Sequence, residues 1–266
     1  MTRSLSRPVA LTIAGTDPGG GAGIQADIKT FAALGVWGYS VATEVIAQNN
    51  SAVFRVEPIA HLMVRAQIEA IAAERVPDAA KTGALSNAKI VRVVADAVEA
   101  GAVPAPVVDP VMISSSGARL IDIAGERAIR SRLLPLARVL TPNIPEAETL
   151  AGIEIKDFAA MREAASRFIK MGAHAVVIKG GHLDASEPAI DLFHDGMKFV
   201  TLRSERARVR NVHGTGCAFS AAIAAYLARG ASLEDAVRGA KRFVSAAIRA
   251  SFRIGRSGRV LDHFAK

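Results

Sequence analysis

The sequence predicts an α/β fold in which mostly parallel strands are joined by helical crossovers. Short apolar runs rich in β-branched residues alternate with longer amphipathic stretches along most of the 266 residues, which is typical of strand–helix–strand units. Half of the residues are apolar and 22% are charged, a balance typical of a folded enzyme with a sizeable core. The chain has no linker-like or repetitive segment, so we expect one domain over residues 1–266.

The strands and helices of this domain alternate in a regular order. Apolar β-branched runs predict six strands, and the stretches between them carry the periodicity of amphipathic helices. The predicted strands are Val9–Ala14, Tyr39–Ala47, Ala79–Thr82, Pro106–Val111, Arg138–Thr141 and Ala175–Lys179. The predicted helices are Gly23–Leu34, Ile59–Ala73, Asn87–Glu99, Glu126–Leu134 and Ala159–Met171.

The C-terminal third of the chain departs from this alternation. Two short apolar runs, Ile190–His194 and Lys198–Arg203, flank Asp195-Gly196, a pair that favours a tight hairpin turn. Two long helices follow. The first runs from Cys217 to a C′ glycine at Gly230, and the second begins in the capping-box pattern of residues 232–235.

Charge and composition narrow the classes of partner. The chain carries a net charge of +8 and a single cysteine, Cys217, so it suits anionic partners and needs no oxidising compartment. The clearest basic run is Arg203, Arg206, Arg208 and Arg210, which is typical of a solvated strand edge or of a phosphate-attracting field. Because no aromatic residues interleave with these arginines, we expect no nucleic-acid binding. No run reaches the ~18 apolar residues of a membrane span, and we expect a soluble cytoplasmic protein.

Polar and glycine-rich segments follow five of the predicted strands. In open α/β sheets, ligands bind beyond the carboxyl ends of the strands, where such segments meet. This convergence predicts a functional site at one edge of the sheet. The segments are Gly15–Asp27, Gln48–Asn50, Asp109–Met112, Pro142–Glu146 and Gly180–His182.

The first of these segments contains Gly21–Ala26, which matches the G-x-G-x-x-A form of a dinucleotide-binding loop. An acidic residue, Glu44, follows about 20 residues later, as that motif requires. However, six residues separate the match from the end of the first strand, and Glu44 lies inside the second strand. The spacing therefore favours a generic glycine turn, and an NAD-dependent oxidoreductase is a distant alternative.

Asp109, Asn143, Glu146 and Lys179 form a second group of polar residues near predicted strand ends. Pro145 suits the first turn of a helix, so Asn143 and Glu146 fit simple helix capping. The same residues fit a hard-cation site, because Mg²⁺ is bound through one or two carboxylates, water and phosphates. Asp109 supplies a second carboxylate for such a site, and Lys179 ends an apolar strand where it can meet a nucleotide phosphate.

Cys217 follows Gly214, Thr215 and Gly216 at the predicted start of a helix. A helix N-terminus has unpaired N–H groups and about half a positive charge. Because glycines give a ligand close access to the backbone, the segment predicts an anion cradle for phosphate. The same field lowers the pKa of a thiol, and a thiolate here can take the proton of a hydroxyl that attacks a γ-phosphate. The alternative is that Cys217 is a small buried apolar residue.

Seven segments of the chain match a known enzyme family in order and in spacing. They read LTIAGTDPGGGAGIQADIKTFAALG, AQN, KTGAL, DPVM, LTPNIPEAETLAG, KGGH and HGTGCAFSAAIAA. Through them the chain resembles, nearly end to end, the bacterial hydroxymethylpyrimidine/phosphomethylpyrimidine kinases of thiamine biosynthesis, which belong to the ribokinase-like superfamily. The resemblance implies a three-layer α/β/α sandwich with a central mostly parallel sheet. It also implies ATP and Mg²⁺ as cofactors, a small aminopyrimidine substrate and a homodimer.

The resemblance implies a substrate pocket formed by Gly15, Asp27, Gln48, Ala84 and Val111. The Asp27 carboxylate is expected to accept a hydrogen bond from the ring amino group, and the Gln48 amide to serve the ring nitrogen and the amine. Val111 is expected to pack on the ring.

On the nucleotide side, the resemblance assigns Asp109, Asn143 and Glu146 to magnesium and phosphates, with Asp109 and Glu146 as the metal ligands. Lys179 is expected near the nucleotide. Gly214, Thr215 and Gly216 form the expected anion hole, and Cys217 stands where many ribokinase-like enzymes have an aspartate base. We expect two phosphorylations at one site, first of the hydroxymethyl group and then of the monophosphate, which the arginines at 206–210 help to hold.

Three positions depart from the family pattern. Ala84 stands where the family usually has Met, which enlarges the pocket and leaves a pyridoxal or pyridoxine kinase as an alternative. Glu44 stands where the family tends to have a small residue. It lies about 13 Å from Gln48 on the same strand face, at ~3.3 Å per residue, which favours a salt-bridge or interface role. The segment Arg253–Gly258 replaces the family's C-terminal glycine–histidine pattern.

Overall fold

A mostly parallel sheet forms the centre of the molecule. The computed structural model describes residues 7–114, 116–181, 189–205, 209, 212–255 and 258–265. Within these ranges the strands are, in chain order, β1 (Val9–Ala14), β2 (Trp37–Ala42), β3 (Glu44–Gln48), β4 (Val53–Pro58), β5 (Ala79–Thr82), β6 (Val107–Val108), β7 (Val139–Leu140), β8 (Val176–Lys179), β9 (Ala189–His194), β10 (Phe199–Ser204), β11 (Val212–His213), β12 (Phe252–Arg253) and β13 (Arg259–Val260).

The order of the strands confirms the predicted parallel crossovers. The central sheet has eight strands in the order β10-β9-β8-β7-β6-β5-β1-β2, and the neighbours from β8 to β2 pair in parallel. β9 pairs antiparallel with β8 and with β10, which confirms the hairpin predicted at Asp195-Gly196. Outside the sheet, β3 pairs with β4 as a separate hairpin, and β11, β13 and β12 form a small third sheet.

Eight α-helices in the described residues connect and cover these strands. They are α1 (Gly23–Ala33), α2 (His61–Glu74), α3 (Ala88–Glu99), α4 (Ile123–Ala128), α5 (Ile144–Ala151), α6 (Phe158–Lys170), α7 (Thr215–Ala228) and α8 (Leu233–Arg249). The chain continues from α4 through a π-helical turn and a 3₁₀ turn that ends at Leu136. Within the described ranges, no helix combines the length and the apolar character that crossing a lipid bilayer requires.

Two apolar cores, one on each face of the sheet, make the fold a three-layer sandwich. Leu11 of β1 and Ile178 of β8 lie in the core that α2 to α6 cover. Ala10 and Val177, their neighbours along the same strands, lie in the opposite core with α1, α7 and α8. Because successive side chains of a strand point to opposite faces and both faces are covered, these strands are mostly apolar, with Thr12 in β1 and Lys179 at the end of β8 as polar exceptions.

The single strand predicted at Tyr39–Ala47 is wrong, because the structure divides this segment into two strands. β2 belongs to the central sheet, whereas β3 leaves it and pairs with β4, which the sequence pattern did not indicate. The break falls at Thr43, whose N–H donates to the Ala14 carbonyl while its hydroxyl donates to the Ala84 carbonyl at 2.6 Å. No glycine or proline lies at the break, and so the usual signals of a strand end are absent there.

The ends of the helices agree closely with the predicted capping residues. The Asn87 side chain accepts from two N–H groups at the start of α3. The Ser232 hydroxyl accepts from the Asp235 N–H at 3.2 Å before α8. Gly230, with φ of 83°, follows α7 in the left-handed conformation that suits a C′ glycine. The start of α7 differs from its prediction, because the helix begins at Thr215.

Candidate active site

The carboxyl edge of the parallel strands brings three of the predicted site residues into contact. Lys179 lies at the end of β8, and Asp109 directly follows β6. The Lys179 Nζ donates a hydrogen bond to Asp109 Oδ1 at 3.0 Å. A Cβ atom placed on Gly216, in the first turn of α7, would lie 3.3 Å from Lys179 Nζ and 3.8 Å from Asp109 Oδ2. The fold therefore places a cation, a carboxylate and a helix N-terminus around one point.

Burial strengthens the electrostatic interaction between Asp109 and Lys179. The Asp109 side chain is 3% exposed and the Lys179 side chain 19% exposed. Burial by itself lowers the pKa of Lys179, but the carboxylates of Asp109 and Glu146 outweigh it and raise that pKa above the ordinary value. Lys179 is therefore a firm positive charge at the end of the sheet.

Asn143 and Glu146 form a complete capping box at the start of α5. The Asn143 N–H donates to Glu146 Oε2 at 2.9 Å, and the Glu146 N–H donates to Asn143 Oδ1 at 2.9 Å. The capping interpretation is thus confirmed, and the magnesium role of these residues stays a prediction. Burial raises the pKa of Glu146 to about 7; Lys179 opposes this rise and Asp109 adds to it.

The donor set at this edge fits magnesium that is shared with a ligand. Asp109 and Glu146 supply two carboxylates, and their charges are close enough to influence each other. Among the described residues, no group of three or more His, Cys, Asp or Glu side chains is arranged to hold a metal ion. Two carboxylates suffice for Mg²⁺ when phosphate and water oxygens complete its coordination.

The predicted anion hole lies at the start of α7, against the first glycine loop. Gly214 has φ of 81° and packs so closely on Gly21 that a Cβ atom would lie 1.7 Å from the Gly21 carbonyl oxygen. The Thr215 hydroxyl donates to the Val212 carbonyl at 3.0 Å. The first-turn N–H groups of α7 have no carbonyl of their own helix to bond, and glycine at 214 and 216 leaves this backbone accessible.

Asp17 organises the glycine loop and connects it to the anion hole, a role that the sequence analysis missed. Its carboxylate accepts from the N–H groups of Gly19, Gly21 and Ala22 at 2.8 to 3.0 Å. It also pairs with His213 Nε2 at 3.1 Å. Burial alone raises the pKa of Asp17, but these hydrogen bonds outweigh it and lower the pKa to about 2. In the sequence, only the position of Asp17 in the loop after the first strand indicates a role in the site.

Cys217 lies partly buried in the first turn of α7. Burial raises the pKa of its thiol to about 11, and the positive charge of Lys81 offsets only part of this rise. The predicted lowering of this pKa by the helix N-terminus is therefore wrong, because the desolvation of a thiolate outweighs the field of one helix end.

Asp27 lies close enough to Cys217 for its negative charge to contribute to the raised pKa of that thiol. It is fully buried, and its Oδ2 accepts from Thr12 Oγ1 at 2.6 Å and from Lys81 Nζ at 2.8 Å. Lys81 is also fully buried, and the negative charge of Asp27 raises its pKa against the effect of burial. Lys81 was not predicted as part of the site, although a lysine inside an apolar strand is a signal of a buried partner. The contact of Asp27 with the ring amino group stays a prediction.

The remaining ring-binding candidates lie around the inner face of the β3–β4 hairpin. Ala84 packs with Ile46 of β3 and with Leu120, and Val111 lies against this small apolar cluster. Gly15, which follows β1, lies against the side chain of Glu44.

Gln48 ends β3, and its side chain helps to lower the pKa of Asp17. It therefore reaches the loop that carries Gly15.

Glu44 does not have the predicted salt-bridge or interface role. Its side chain is 0% exposed, and it forms no ion pair with any residue that the structure describes. Burial raises its pKa to about 7, and a hydrogen bond with the Ser86 side chain opposes this rise.

Several predicted residues lie outside the described part of the chain. These are His182 and the arginines Arg206, Arg208 and Arg210. Residues 256 and 257 of the C-terminal segment also lie outside it. Arg203 is described, and it is exposed on β10, the edge strand of the central sheet. This position agrees with the solvated strand edge predicted for the start of the basic run.

The chain is similar to known proteins over nearly its whole length. A family model described as phosphomethylpyrimidine kinase matches residues 17–261. A hydroxymethylpyrimidine/phosphomethylpyrimidine kinase of Haemophilus influenzae is 46% identical over 259 residues, which cover 96% of each chain. A bifunctional thiamine biosynthesis protein of Geobacter sulfurreducens is 44% identical over 257 residues; the match covers 97% of this chain and about half, 52%, of that protein. The crystal structure of an ADP complex of Bacillus subtilis pyridoxal kinase has a TM-score of 0.90 and 40% identity, over 98% of both chains.

Proposed function

The chain belongs to the phosphomethylpyrimidine kinase family, and from this premise we propose that it phosphorylates 4-amino-5-hydroxymethyl-2-methylpyrimidine and then its monophosphate, with ATP as the donor. The contact of Lys179, Asp109 and Gly216 is the observation that carries this proposal. A triphosphate needs positive charge, a means of holding a divalent cation and free backbone N–H groups, and the three residues supply these together.

The phosphoryl group is positioned by backbone and charge. Its transfer passes through a loose transition state, so positioning and charge neutralisation count for more than covalent assistance. We assign the N–H groups at Gly214–Cys217 to the oxygens of the migrating phosphate. Lys179 neutralises charge on the same group. The Asp17–His213 contact holds the glycine loop against this helix start, which fixes the backbone before a ligand arrives.

Asp109 and Glu146 are the residues that would hold magnesium. When bound, the ion supplies charge neutralisation at phosphate oxygens. Glu146, with a pKa of about 7, is only half ionised near neutral pH, and a cation beside it favours the ionised form. Asn143 keeps the Glu146 carboxylate in place through the capping box.

The acceptor side of the site is the wall formed by Gly15, Gln48, Ala84 and Val111. Asp27 belongs to the same proposed acceptor site, because Lys81 and Thr12 hold only its Oδ2 and its Oδ1, without a hydrogen-bond partner among the described residues, can accept from the ring amino group. The hydroxymethyl group of the substrate is directed towards Cys217, which receives the hydroxyl proton. With a thiol pKa of about 11, only a small fraction of Cys217 is thiolate at neutral pH, so its contribution to the rate is moderate.

A homodimer in the cytoplasm completes the proposal. Exposed apolar side chains occur on the β3–β4 hairpin, at Val45 and Phe54, and at Leu62 and Met63 in the first turn of α2. Because α2 directly follows the hairpin in the chain, one contact with a second copy can cover these side chains. Size-exclusion chromatography with light scattering tests this; a monomer at micromolar concentration contradicts it.

Turnover measurements with three acceptors test the proposed function. ADP release is followed with the hydroxymethylpyrimidine, with its monophosphate and with pyridoxal, each in the presence of ATP and Mg²⁺. We expect efficient turnover of both pyrimidines. Pyridoxal kinase is the second candidate, because the Bacillus subtilis enzyme with that activity is 40% identical. Efficient turnover of pyridoxal with none of the pyrimidines contradicts the proposal in favour of that alternative.

A further inference from the structure

A second ion pair of low exposure lies beside Lys179, on the nucleotide side of the site. Lys241 of α8 donates from Nζ to Asp191 Oδ2 of β9 at 2.6 Å. The Lys241 side chain is 15% exposed and the Asp191 side chain 9% exposed. Because the desolvation of two charges offsets much of their attraction, such a pair is weak evidence for stability. Its position next to a phosphate-binding lysine makes it a candidate for a functional role.

Asp191 and Lys179 point to the same face of the sheet. They stand directly opposite each other in the antiparallel pair of β8 and β9. Val177 and Phe193, two residues away on the same strands, lie in the core beneath α7 and α8, and so Lys179 and Asp191 face these helices as well. Directly opposed side chains have Cβ atoms about 5 Å apart. The Asp191 carboxylate is therefore within reach of the Lys179 ammonium, on the opposite side from Asp109, which follows β6.

The Asp191 carboxylate also holds the backbone that follows Lys179. Its Oδ1 accepts a hydrogen bond from the buried Gly180 N–H at 3.1 Å. The Lys179 N–H donates to the Pro142 carbonyl at 2.9 Å. A Cβ atom placed on Gly180 would lie 2.2 Å from the Ile190 carbonyl oxygen, so this turn packs tightly on β9. The backbone of Lys179 and Gly180 is thus fixed from both sides, by the end of β7 and by β9.

Lys179 lies between two carboxylates that can compete for its charge. In this structure its ammonium donates to Asp109 at 3.0 Å. In the proposed function, however, Asp109 holds magnesium and Lys179 neutralises the phosphate. A cation on Asp109 weakens the attraction of Lys179 to that carboxylate. An uncompensated Asp191 would then draw the ammonium away from the phosphate, and Lys241 prevents this because it already neutralises Asp191.

We propose that Lys241 and Asp191 are positioning residues for phosphoryl transfer. Asp191 holds the Gly180 N–H, and Lys241 neutralises Asp191 so that the Lys179 ammonium stays directed at the nucleotide phosphates. This inference rests on the proposed function and deepens it, because it names two residues that act on the phosphate through Lys179. Through this ion pair, α8 contributes to the phosphate site without contacting the nucleotide.

Nucleotide binding to two variants tests the inference. Titration calorimetry with Mg²⁺ measures the affinity for the non-hydrolysable ATP analogue AMP-PCP and for ADP. Lys241→Met removes the charge, and the affinity for AMP-PCP is expected to fall by about 10- to 100-fold. The fall for ADP is expected to be smaller, because ADP lacks the phosphate that Lys179 neutralises. Lys241→Met combined with Asp191→Asn also removes the competing carboxylate and keeps an acceptor for Gly180, so affinity is expected to return to within a few-fold of the original.

Lys198→Met is the matched control. Lys198 pairs with Glu234 of α8 at 2.6 Å, and the two side chains are 58% and 27% exposed. The control therefore removes one positive charge and one ion pair to the same helix, and its affinity for AMP-PCP is expected to equal that of the original chain. Urea unfolding of all variants separates positioning from a purely structural role, since a chain that is only less stable binds the analogue normally while it is folded.

Two outcomes overturn the inference alone. The first is a folded Lys241→Met variant that binds AMP-PCP as the original chain does. The second is a double variant that binds as weakly as Lys241→Met, because Lys241 then acts by a route that does not involve Asp191. If the unsubstituted chain does not bind AMP-PCP at all, the proposed function fails first and the inference fails with it. Should Lys241→Met not fold, Lys241→Gln takes its place under the same expectations, since it also lacks the charge but can still donate to Asp191.

Discussion

The burial of Glu44 predicts a specific dependence of stability on pH. An ordinary glutamate has a pKa near 4.5, whereas burial raises that of Glu44 to about 7 in the folded chain. Between these values the unfolded chain has released its proton and the folded chain still holds it. The unfolded state therefore binds fewer protons, and the free energy of unfolding falls as pH rises from about 4.5 to about 7. Above about 7 both states are ionised and the fall ends.

The size of this effect follows from the same two pKa values. At about 1.4 kcal/mol per pH unit, the separation of the two values corresponds to about 3 kcal/mol. Glu44→Gln cannot ionise, so it is not subject to this loss. We expect the two chains to have similar stability near pH 4.5, and Glu44→Gln to be more stable by about 3 kcal/mol at pH 8.

Urea unfolding at a series of pH values measures this difference directly. The original chain, Glu44→Gln and the exposed control Glu57→Gln are compared in one buffer series without nucleotide. Other buried acids, among them Glu146, contribute the same slope to all three chains and cancel in the differences. Parallel curves for the original chain and Glu44→Gln from pH 4.5 to 8 refute the reasoning, since they mean that Glu44 ionises equally well in both states.

Three further predictions concern the rest of the site. Replacing Lys81 by Met leaves the fully buried Asp27 carboxylate without a counter-charge, with only the Thr12 hydroxyl bonded to it, and is expected to destabilise the fold by about 3 to 5 kcal/mol; adding Asp27→Asn should restore part of this in urea unfolding, and no restoration contradicts the pairing. Cys217→Ala is expected to lower kcat by about 10- to 100-fold in steady-state assays, because a thiol with a pKa of about 11 assists only moderately; unchanged kcat shows that the proton leaves by another route. Removing Mg²⁺ with a chelator is expected to abolish turnover, and its readdition to restore it, because the single positive charge of Lys179 does not neutralise a triphosphate beside two carboxylates; activity that persists in the chelator refutes the metal requirement.

Local signals in the sequence were sufficient for most helices and most strands; the helix predicted at Glu126–Leu134 is wrong in its bounds, because the α-helix there is Ile123–Ala128 and the chain continues as π-helical and 3₁₀ turns. Asn143, Glu146 and Ser232 behave as the caps that their spacing predicted, because capping is decided within four residues. The convergence of Asp109 and Lys179 was also predictable, since parallel strands end at a common edge.

Features that depend on contacts distant in sequence were not predictable. The helix start at Cys217 suggested a low thiol pKa, but the desolvation that raises it comes from other parts of the fold. The role of Asp17 depends on His213, and the partner of Asp27 is Lys81. Glu44 was misjudged because its burial follows from the departure of β3 from the sheet at Thr43. Apolar periodicity carries no information on that departure.

The hydrogen bond between Asp17 and His213 joins residues 196 positions apart, and this has a consequence for synthesis on the ribosome. The amino-terminal glycine loop emerges early, yet the groups that hold it in place are translated only in the last fifth of the chain. A nascent polypeptide interrupted before His213 therefore lacks the proposed phosphate site, however well its earlier strands have folded. Competence to bind nucleotide accordingly arises as one of the last events in the maturation of the molecule.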